Sequence, residues 1–386
     1  MNILIYTEIY CGPTMTFLYR QVTALRKNGH DVTVICRSKQ NIQRYPFEDV
    51  VEIPRRMSER LFRSVLRKLR VSHTFITRAV KSKIRNIIVS KNIDVVLSHF
   101  GPSGLEINQV ARACKLPHFV IIHGFDGSLL LRKRDYRNQW KRNPDVRRFY
   151  ASRSMELNMN RAGLHANYGV VLPLGFADDN FSDPGGPIAV KNIVEHGRRF
   201  IFQAANFVEK KGQRYTVRAF SGIAAQCKDL DLVFAGDGPD RQAVEKEVKR
   251  LGLGGRVHFL GHIGPSQVID CMDECAGFVH HSVTASNGDQ ESIPTCIMEA
   301  MSRGCLVIST CHSGIPELIS SGINGFLVAE RDVKKMASRI LAVWKMGTEE
   351  RETMSRLAHD TIKENFNFDK QLVKIETQLL AAVNEG

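Results

Sequence analysis

Asn2-Ile3-Leu4-Ile5-Tyr6-Thr7-Glu8 opens the chain as an apolar run that breaks at Cys11-Gly12-Pro13. Phe17, Val22 and Leu25 follow at helical spacing up to Asn28-Gly29, and Asp31-Val32-Thr33-Val34-Ile35-Cys36 returns as a β-branched run. Such runs read as buried strands, and a glycine just past the periodic segment is a common helix stop. Strand, glycine turn, helix and strand within about 35 residues form a βαβ unit, the opening of a doubly wound parallel sheet. The G-x-G-x-x-G fingerprint is absent from the turn, which counts against a dinucleotide cofactor there.

The same alternation continues outward. A strand at 94–99 ends at His99-Phe100-Gly101-Pro102, and another at 116–122 ends at His123-Gly124-Phe125-Asp126. Open α/β sheets bind ligands beyond the carboxyl ends of their strands, so these two histidines are candidate site residues. Residues 177–197, rich in Asp, Gly and Pro, read as a linker. Beyond them strands and helices alternate again, which predicts a second parallel α/β domain over 198–367. The first domain is then 1–176, joined by a final helix at 368–386. Asp229-Leu230-Asp231 has the spacing of a D-x-D metal site but opens a strand after a helix, so it reads as two solvated loop acids.

At 386 residues the chain suits two domains. With 43% hydrophobic and 24% charged residues it is an ordinary globular sequence. No apolar run reaches the length of a membrane span, and the strand-like start predicts no secretory leader. The nine cysteines are scattered without a zinc pattern, which fits a reducing cytoplasm. Net charge is +14, concentrated in two stretches. Residues 55–91 hold twelve bases against one acid, Glu59, and 132–148 hold eight against two. A one-sided basic face implies an anionic partner, or else a solvated face with none. Within the first stretch, Leu61, Phe62, Val65, Leu66 and Leu69 fall at helical spacing among Arg60, Arg63, Arg67, Lys68 and Arg70. A basic amphipathic helix of this kind lies on an anionic membrane surface or docks on a protein core. No nucleic-acid motif accompanies it.

One stretch carries the chemistry. In Gly288-Asp289-Gln290-Glu291-Ser292-Ile293-Pro294-Thr295-Cys296-Ile297-Met298-Glu299, two glutamates stand eight positions apart. Ser292 can cap a helix and Pro294 suits its first turn. A helix from Ser292 onward would present unpaired N–H groups to a phosphate, and eight helical residues rise about 12 Å. That offers a carboxylate to each end of a nucleotide sugar and amides to its middle. On spacing alone, an amphipathic helix with two solvated acids accounts for the pattern as well.

Taken together, the motifs resemble those of the GT-B glycosyltransferases of family four, nearest to the bacterial exopolysaccharide (colanic-acid-type) group, over nearly the whole length. The matching pieces in the first half are Met15-Thr16-Phe17, His99-Phe100-Gly101-Pro102, His123-Gly124-Phe125-Asp126 and Val171-Leu172-Pro173-Leu174-Gly175. In the second half they are Val208-Glu209-Lys210-Lys211-Gly212, Gly236-Asp237-Gly238-Pro239, Glu291 with Glu299, Gly314-Ile315-Pro316-Glu317 and Asn324-Gly325-Phe326.

The resemblance implies two Rossmann-like domains facing across a cleft, and a retaining transfer of sugar from a nucleoside-diphosphate sugar, UDP- or GDP-linked. By that likeness His123, Glu291 and Lys211 are catalytic, with Glu299 on the ribose and Lys211 on the diphosphate. Ser292, Ile293, Pro294, Thr295, Asn206, Gly12, Asp237 and Gly238 complete the donor site, while Thr14, Met15, His99 and Asp126 face the acceptor. No metal or cofactor is implied. The acceptor would be a glycan or a lipid-diphosphate-linked precursor, met at the cytoplasmic face of an anionic membrane through 55–91 and 132–148. Two departures stand out: Asn206 replaces the family's usual Arg, for which Lys210 or Arg214 could substitute, and Ser292 replaces the usual Gly. A sugar-nucleotide-binding protein with little or no transferase activity is the alternative.

Overall fold

In the computed structural model the residues described are 1–12, 15–68, 74–177, 194 and 198–385, with the side chains of Thr16 and Arg67 left aside. The expected linker lies outside them apart from 177 and 194, as does Thr14. The chain divides into two compact units, Met1–Leu174 with Asp369–Gly386, and Gly175–Phe368.

The first unit runs β1 (Asn2–Tyr10), α1 (Thr16–Lys27), β2 (Asp31–Lys39), β3 (Val50–Glu52), α2 (Met57–Lys68), α3 (Arg78–Ser90), β4 (Val95–His99) and α4 (Gly101–Ala113). It continues through β5 (His118–Ile122), α5 (Arg134–Lys141), β6 (Arg147–Tyr150), α6 (Arg153–Arg161) and β7 (Gly169–Val171). The second unit runs β8 (Arg199–Ala204), α7 (Gln213–Ser221), β9 (Leu230–Ala235), α8 (Arg241–Arg250), β10 (Val257–Phe259), α9 (Pro265–Glu274) and β11 (Gly277–His280). After it come α10 (Thr295–Ser302), β12 (Val307–Thr310), α11 (Ile315–Leu318), β13 (Phe326–Val328), α12 (Val333–Lys345), α13 (Thr348–Asn365) and α14 (Phe368–Asn384).

Both sheets are parallel throughout, ordered β3-β2-β1-β4-β5-β6-β7 and β10-β9-β8-β11-β12-β13. Two Rossmann-like units result. In each, the order reverses once, between β1 and β4 and between β8 and β11, and at such a switch point the loops diverge and leave a crevice for ligand. Their central strands are buried and mostly apolar because helices cover both faces.

Two short strands, β3 and β6, were not legible in the sequence, the second because its start, Arg147-Arg148, reads as part of a basic surface. Arg148 is in fact buried, donating to the Leu164 carbonyl (2.5 Å) with its guanidinium 4.5 Å above the Trp140 ring. Asp231 is also corrected: it lies inside β9, 1% exposed, accepting from Arg198 (2.9 Å), Arg256 (2.8 Å) and His258 (2.9 Å). Burying a carboxylate is costly unless it is paired, and three donors meet that cost here.

The basic stretch 55–91 splits into inward and outward parts. Glu106 of α4 is buried and accepts from the Tyr6 hydroxyl (2.7 Å), Arg37 (3.0 Å), Arg55 (2.9 Å) and Arg63 (2.6 Å). Burial would raise its pKa, but the arginines, Arg37 and Arg55 first, hold it down at about 2. Glu59, also buried, pairs with Arg55 and Arg37. Helix α2 therefore docks through its ionic side, Glu59 and Arg63. Most of its apolar residues face outward instead: Met57, Leu61, Phe62 and Val65 are 71%, 63%, 47% and 50% exposed, while Leu66 is half-buried. No helix among the described residues is long and apolar enough to cross a membrane.

Candidate active site

Each unit carries a polar cluster at the carboxyl ends of its strands. In the first unit, β4 delivers His99 and β5 delivers His123, their ring nitrogens 3.4 Å apart. His99 Nε2 lies 2.7 Å from Gln21 Oε1, an acceptor, so that nitrogen carries the hydrogen and His99 Nδ1 accepts from His123. The rings of Phe17 and Phe100 close over the pair at 5.3 and 4.3 Å from His123. Burial drives both histidines toward the neutral form, His123 to about 3 and His99 well below its usual value, where the His123 ring adds to the effect. Phe100 has φ 68°, a left-handed conformation that a bulky residue adopts only when its surroundings enforce it.

Asp126 holds the two strand ends together. Its Oδ1 accepts from the His123 N–H (2.8 Å) and its Oδ2 from the Gly101 N–H (2.6 Å). Burial raises its pKa to about 6 against the pull of those amides. Asp126 and His99 are 0% exposed, and both brace His123 through the bonds given above. His123 is 7% exposed, Met15 is half-buried, and Gly12 is buried where β1 ends.

In the second unit the loops after β8 and β11 meet. Lys211 Nζ lies 3.0 Å from Glu291 Oε1, and Lys210 Nζ bridges Asp289 (3.0 Å) and Glu291 (3.6 Å). Burial would raise the Glu291 pKa, yet Lys211 and then Lys210 hold it down at about 2. Lys211 moves oppositely: burial would lower it, but Glu291 keeps it above its usual value. Two glycines make the frame possible. At Gly212 (φ +65°) a Cβ would sit 1.8 Å from the His281 carbonyl oxygen, and at Gly238 (φ +154°) 2.5 Å from that of Phe207.

The expected helix start is corrected. Helix α10 begins at Thr295, with Pro294 extended (ψ 122°) at its cap, and residues 291–294 are loop. Tertiary bonds keep them so: the Glu291 N–H donates to His312 Nε2 (3.1 Å), and the Ser292 carbonyl accepts from Gly314 (3.0 Å). Glu299 is thus on the helix and Glu291 in the loop before it, with Thr295 exposed between. Ile293 and Pro294 turn their side chains inward, so they offer backbone only. Asn206 is exposed after β8; Lys210, not Arg214, is the further base beside Glu291. Asp237, after β9, is held by its own loop through Gly238 (2.7 Å) and Arg241 (3.2 Å). Among the described residues no group of three His, Cys, Asp or Glu could hold a metal ion.

Sequence reasoning missed His280, His312 and Glu330. His280 ends β11 and His312 follows β12, so the strand-end rule that picked out His99 and His123 applies to both.

Known glycosyltransferases resemble this chain in sequence and in fold. The model of glycosyl transferases group 1 matches residues 188–361, and that of glycosyltransferase family 4 matches 15–164. WcaL of Escherichia coli (strain K12), a glycosyltransferase named for colanic acid biosynthesis, is 25% identical, covering 91% of this chain and 93% of its own. The amylovoran biosynthesis glycosyltransferase AmsK of Erwinia amylovora is 27% identical over 64% of this chain and 60% of its own. Among solved structures, Anabaena Alr3699/HepE in complex with UDP superposes with a TM-score of 0.76 at 18% identity, over 99% of this chain and 100% of that one.

Proposed function

Because the chain belongs to the glycosyltransferases, family 4 in its first unit and group 1 in its second, we propose that it moves a sugar from a UDP-sugar to a glycan or lipid-linked acceptor with retention of configuration. The observation that carries this reading is the Lys210–Lys211–Glu291 cluster at the β8/β11 switch point, followed by Glu299 on α10. Glu299, ionised, accepts the two ribose hydroxyls. The diphosphate lies against Lys211 and the first amides of α10, with Lys210 supplying the charge that Asn206 lacks. Glu291 faces the sugar. In the first unit His123, neutral, gives its Nε2 hydrogen to His99 and keeps Nδ1 as an acceptor for a substrate hydroxyl.

The anomeric carbon–oxygen bond to the diphosphate breaks, and the acceptor oxygen bonds to that carbon on the same face. The acceptor's proton passes to the departing phosphate oxygen. No side chain forms a covalent link, so stabilising the leaving charge supplies much of the rate. UDP as the nucleotide is supported by the complexes of HepE with UDP and with UDP-glucose. Exopolysaccharide or lipopolysaccharide assembly is supported by the names of WcaL, AmsK and the Salmonella lipopolysaccharide 1,6-galactosyltransferase.

We place the enzyme peripherally on the inner membrane face. Supporting this are exposed bases at Arg56, Arg60, Lys68, Arg132, Lys133, Arg134, Lys141 and Arg142, and the outward apolar row of α2. Each base near an anionic surface contributes about 1 kcal/mol. The deciding experiment is a thermal-shift screen of UDP-, GDP- and ADP-sugars on wild-type protein and Glu299→Ala, followed by nucleotide release with acceptor. We expect UDP-sugars to raise the wild-type Tm with concentration and not that of Glu299→Ala. Binding without release from any glycan or lipid-linked acceptor would leave a sugar-nucleotide-binding protein. Unchanged affinity in Glu299→Ala would move the ribose site elsewhere.

A further inference from the structure

The loop between β11 and α10 carries Glu291, and side chains from three other loops give it its shape. Glu209 accepts from the Ser286 N–H (2.9 Å) and hydroxyl (2.7 Å). On the opposite side, Glu330 accepts from the Thr284 N–H (2.8 Å) and hydroxyl (3.1 Å). Oε1 of the same Glu330 lies 2.6 Å from His312 Nδ1. The other ring nitrogen, His312 Nε2, accepts from the Glu291 N–H at 3.1 Å. A peptide N–H can only donate, so Nε2 holds the lone pair and Nδ1 the hydrogen given to Glu330. One carboxylate thus fixes the loop at Thr284 directly and at Glu291 through the imidazole.

Three further observations mark this ring as more than filling. His312 is fully buried with both nitrogens engaged. Ser313 beside it holds φ 48°, the left-handed region that serine seldom enters. Gly314 then donates to the Ser292 carbonyl, so residues 312–314 strap the chain at two consecutive residues, Glu291 and Ser292. Glu299 needs no such support, because five residues of α10 fix its backbone. Glu291 stands in loop, where its backbone direction depends on these bonds while Lys211 and Lys210 hold its carboxylate.

We propose that His312, oriented by Glu330, is the positioning residue for Glu291. It holds the Glu291 peptide so that the carboxylate meets the donor sugar, and it leaves nucleotide affinity to Glu299 and the lysines. The proposal rests on Glu291 facing the sugar. A displacement of about 1 Å at a reacting group can cost about 100-fold in rate, and an imidazole removed from this strap permits that much movement.

The test compares wild-type protein, His312→Leu and His312→Gln. Glutamine can accept from the Glu291 N–H and donate to Glu330, whereas leucine fills the space and does neither. The readouts are kcat and KM with UDP-glucose, Kd for UDP and for UDP-glucose by calorimetry, and Tm. In His312→Leu we expect kcat to fall by about tenfold or more, with loss of the extra affinity of UDP-glucose over UDP. Its Kd for UDP should stay within about threefold of wild type, and His312→Gln should recover most of kcat.

Wild-type kcat in His312→Leu would overturn the proposal. So would joint loss of UDP affinity and Tm without recovery in His312→Gln, which is the outcome of a purely structural role. Wild-type protein that binds UDP-glucose but never turns it over would remove the transferase reading; the affinity increment of UDP-glucose over UDP would then decide the role of His312 alone. Wild-type protein that binds neither ligand would remove both.

Discussion

Replacing Lys211 with Met removes the ammonium 3.0 Å from Glu291 and leaves Lys210, at 3.6 Å, as the base nearest that carboxylate. The Glu291 side chain is only 12% exposed. Its pKa is about 2 against an ordinary 4.5, a gap that corresponds to about 3 kcal/mol of stability. A folded-state pKa depressed in this way stabilises the protein above the unfolded value, and the contribution is lost as pH falls through about 2. Burial is already the largest single influence on this carboxyl, so without Lys211 its pKa rises. The buried carboxylate, left with Lys210 alone, then destabilises the variant at neutral pH, and protonation relieves it as pH falls. We therefore expect Lys211→Met to be less stable than wild type by about 3 to 5 kcal/mol at pH 7 and by clearly less at pH 4. The protein has two tryptophans, Trp140 in the first unit and Trp344 in the second. Denaturant unfolding followed by Trp344 in a Trp140→Phe background reads the second unit. Lys211→Arg, which keeps the charge, should recover most of the loss. A difference under about 1 kcal/mol at pH 7, or one equally large at both pH values, would refute the assignment of Lys211 as the counter-charge of Glu291.

The other predictions concern the first unit. Glu106→Gln leaves the guanidinium groups of Arg37, Arg55 and Arg63 without their shared carboxylate, and should destabilise that unit by about 3 to 5 kcal/mol, read from Trp140 fluorescence; a loss below about 1 kcal/mol would show the cluster to be solvated. Leu61→Glu with Val65→Glu should weaken binding to vesicles containing anionic lipid by about tenfold or more while Tm stays within a few degrees, since both side chains already face outward; equal binding would move the membrane contact away from α2.

Much of this was readable in the sequence because parallel strands buried on both faces appear as short apolar runs bounded by glycine. Those runs, and the loops after them, led to His99 and His123; Glu291 stood out by its spacing from Glu299, and Lys211 by the resemblance to glycosyltransferase motifs. Two short strands were not readable. β3 spans only three residues and β6 opens with two arginines, one of which is buried by stacking on Trp140. The start of α10 was misread for a related reason. Ser292 and Pro294 satisfy every local rule for a helix N-terminus, but His312 and Gly314, some twenty residues later, take the peptide groups of 291–292 into other bonds. Local propensity loses to tertiary hydrogen bonding wherever a loop is held from outside. The same limit hid the bracing role of Asp126, whose sequence neighbours say nothing of the Gly101 amide that it binds.

Helix α2 runs against the usual logic of an amphipathic helix. Such a helix ordinarily buries its apolar stripe against a core and leaves its charges in water, because desolvating charges costs more than burying methylenes gains. Here the reverse holds: Glu59 and Arg63 go inward to the Arg37–Arg55–Glu106 cluster, while Met57, Leu61 and Val65 stay in solvent. Glu59 is the sole acid in 55–91, so turning it inward leaves the outer face of that stretch without negative charge. Replacing a buried ion cluster with packed apolar side chains is often neutral or stabilising, so stability alone does not favour this orientation. What it provides is an outward face that is both apolar and basic, the combination that binds the headgroup layer of an anionic bilayer. On the function proposed above, a lipid-linked acceptor is confined to that surface, and such a face would hold the first unit beside it.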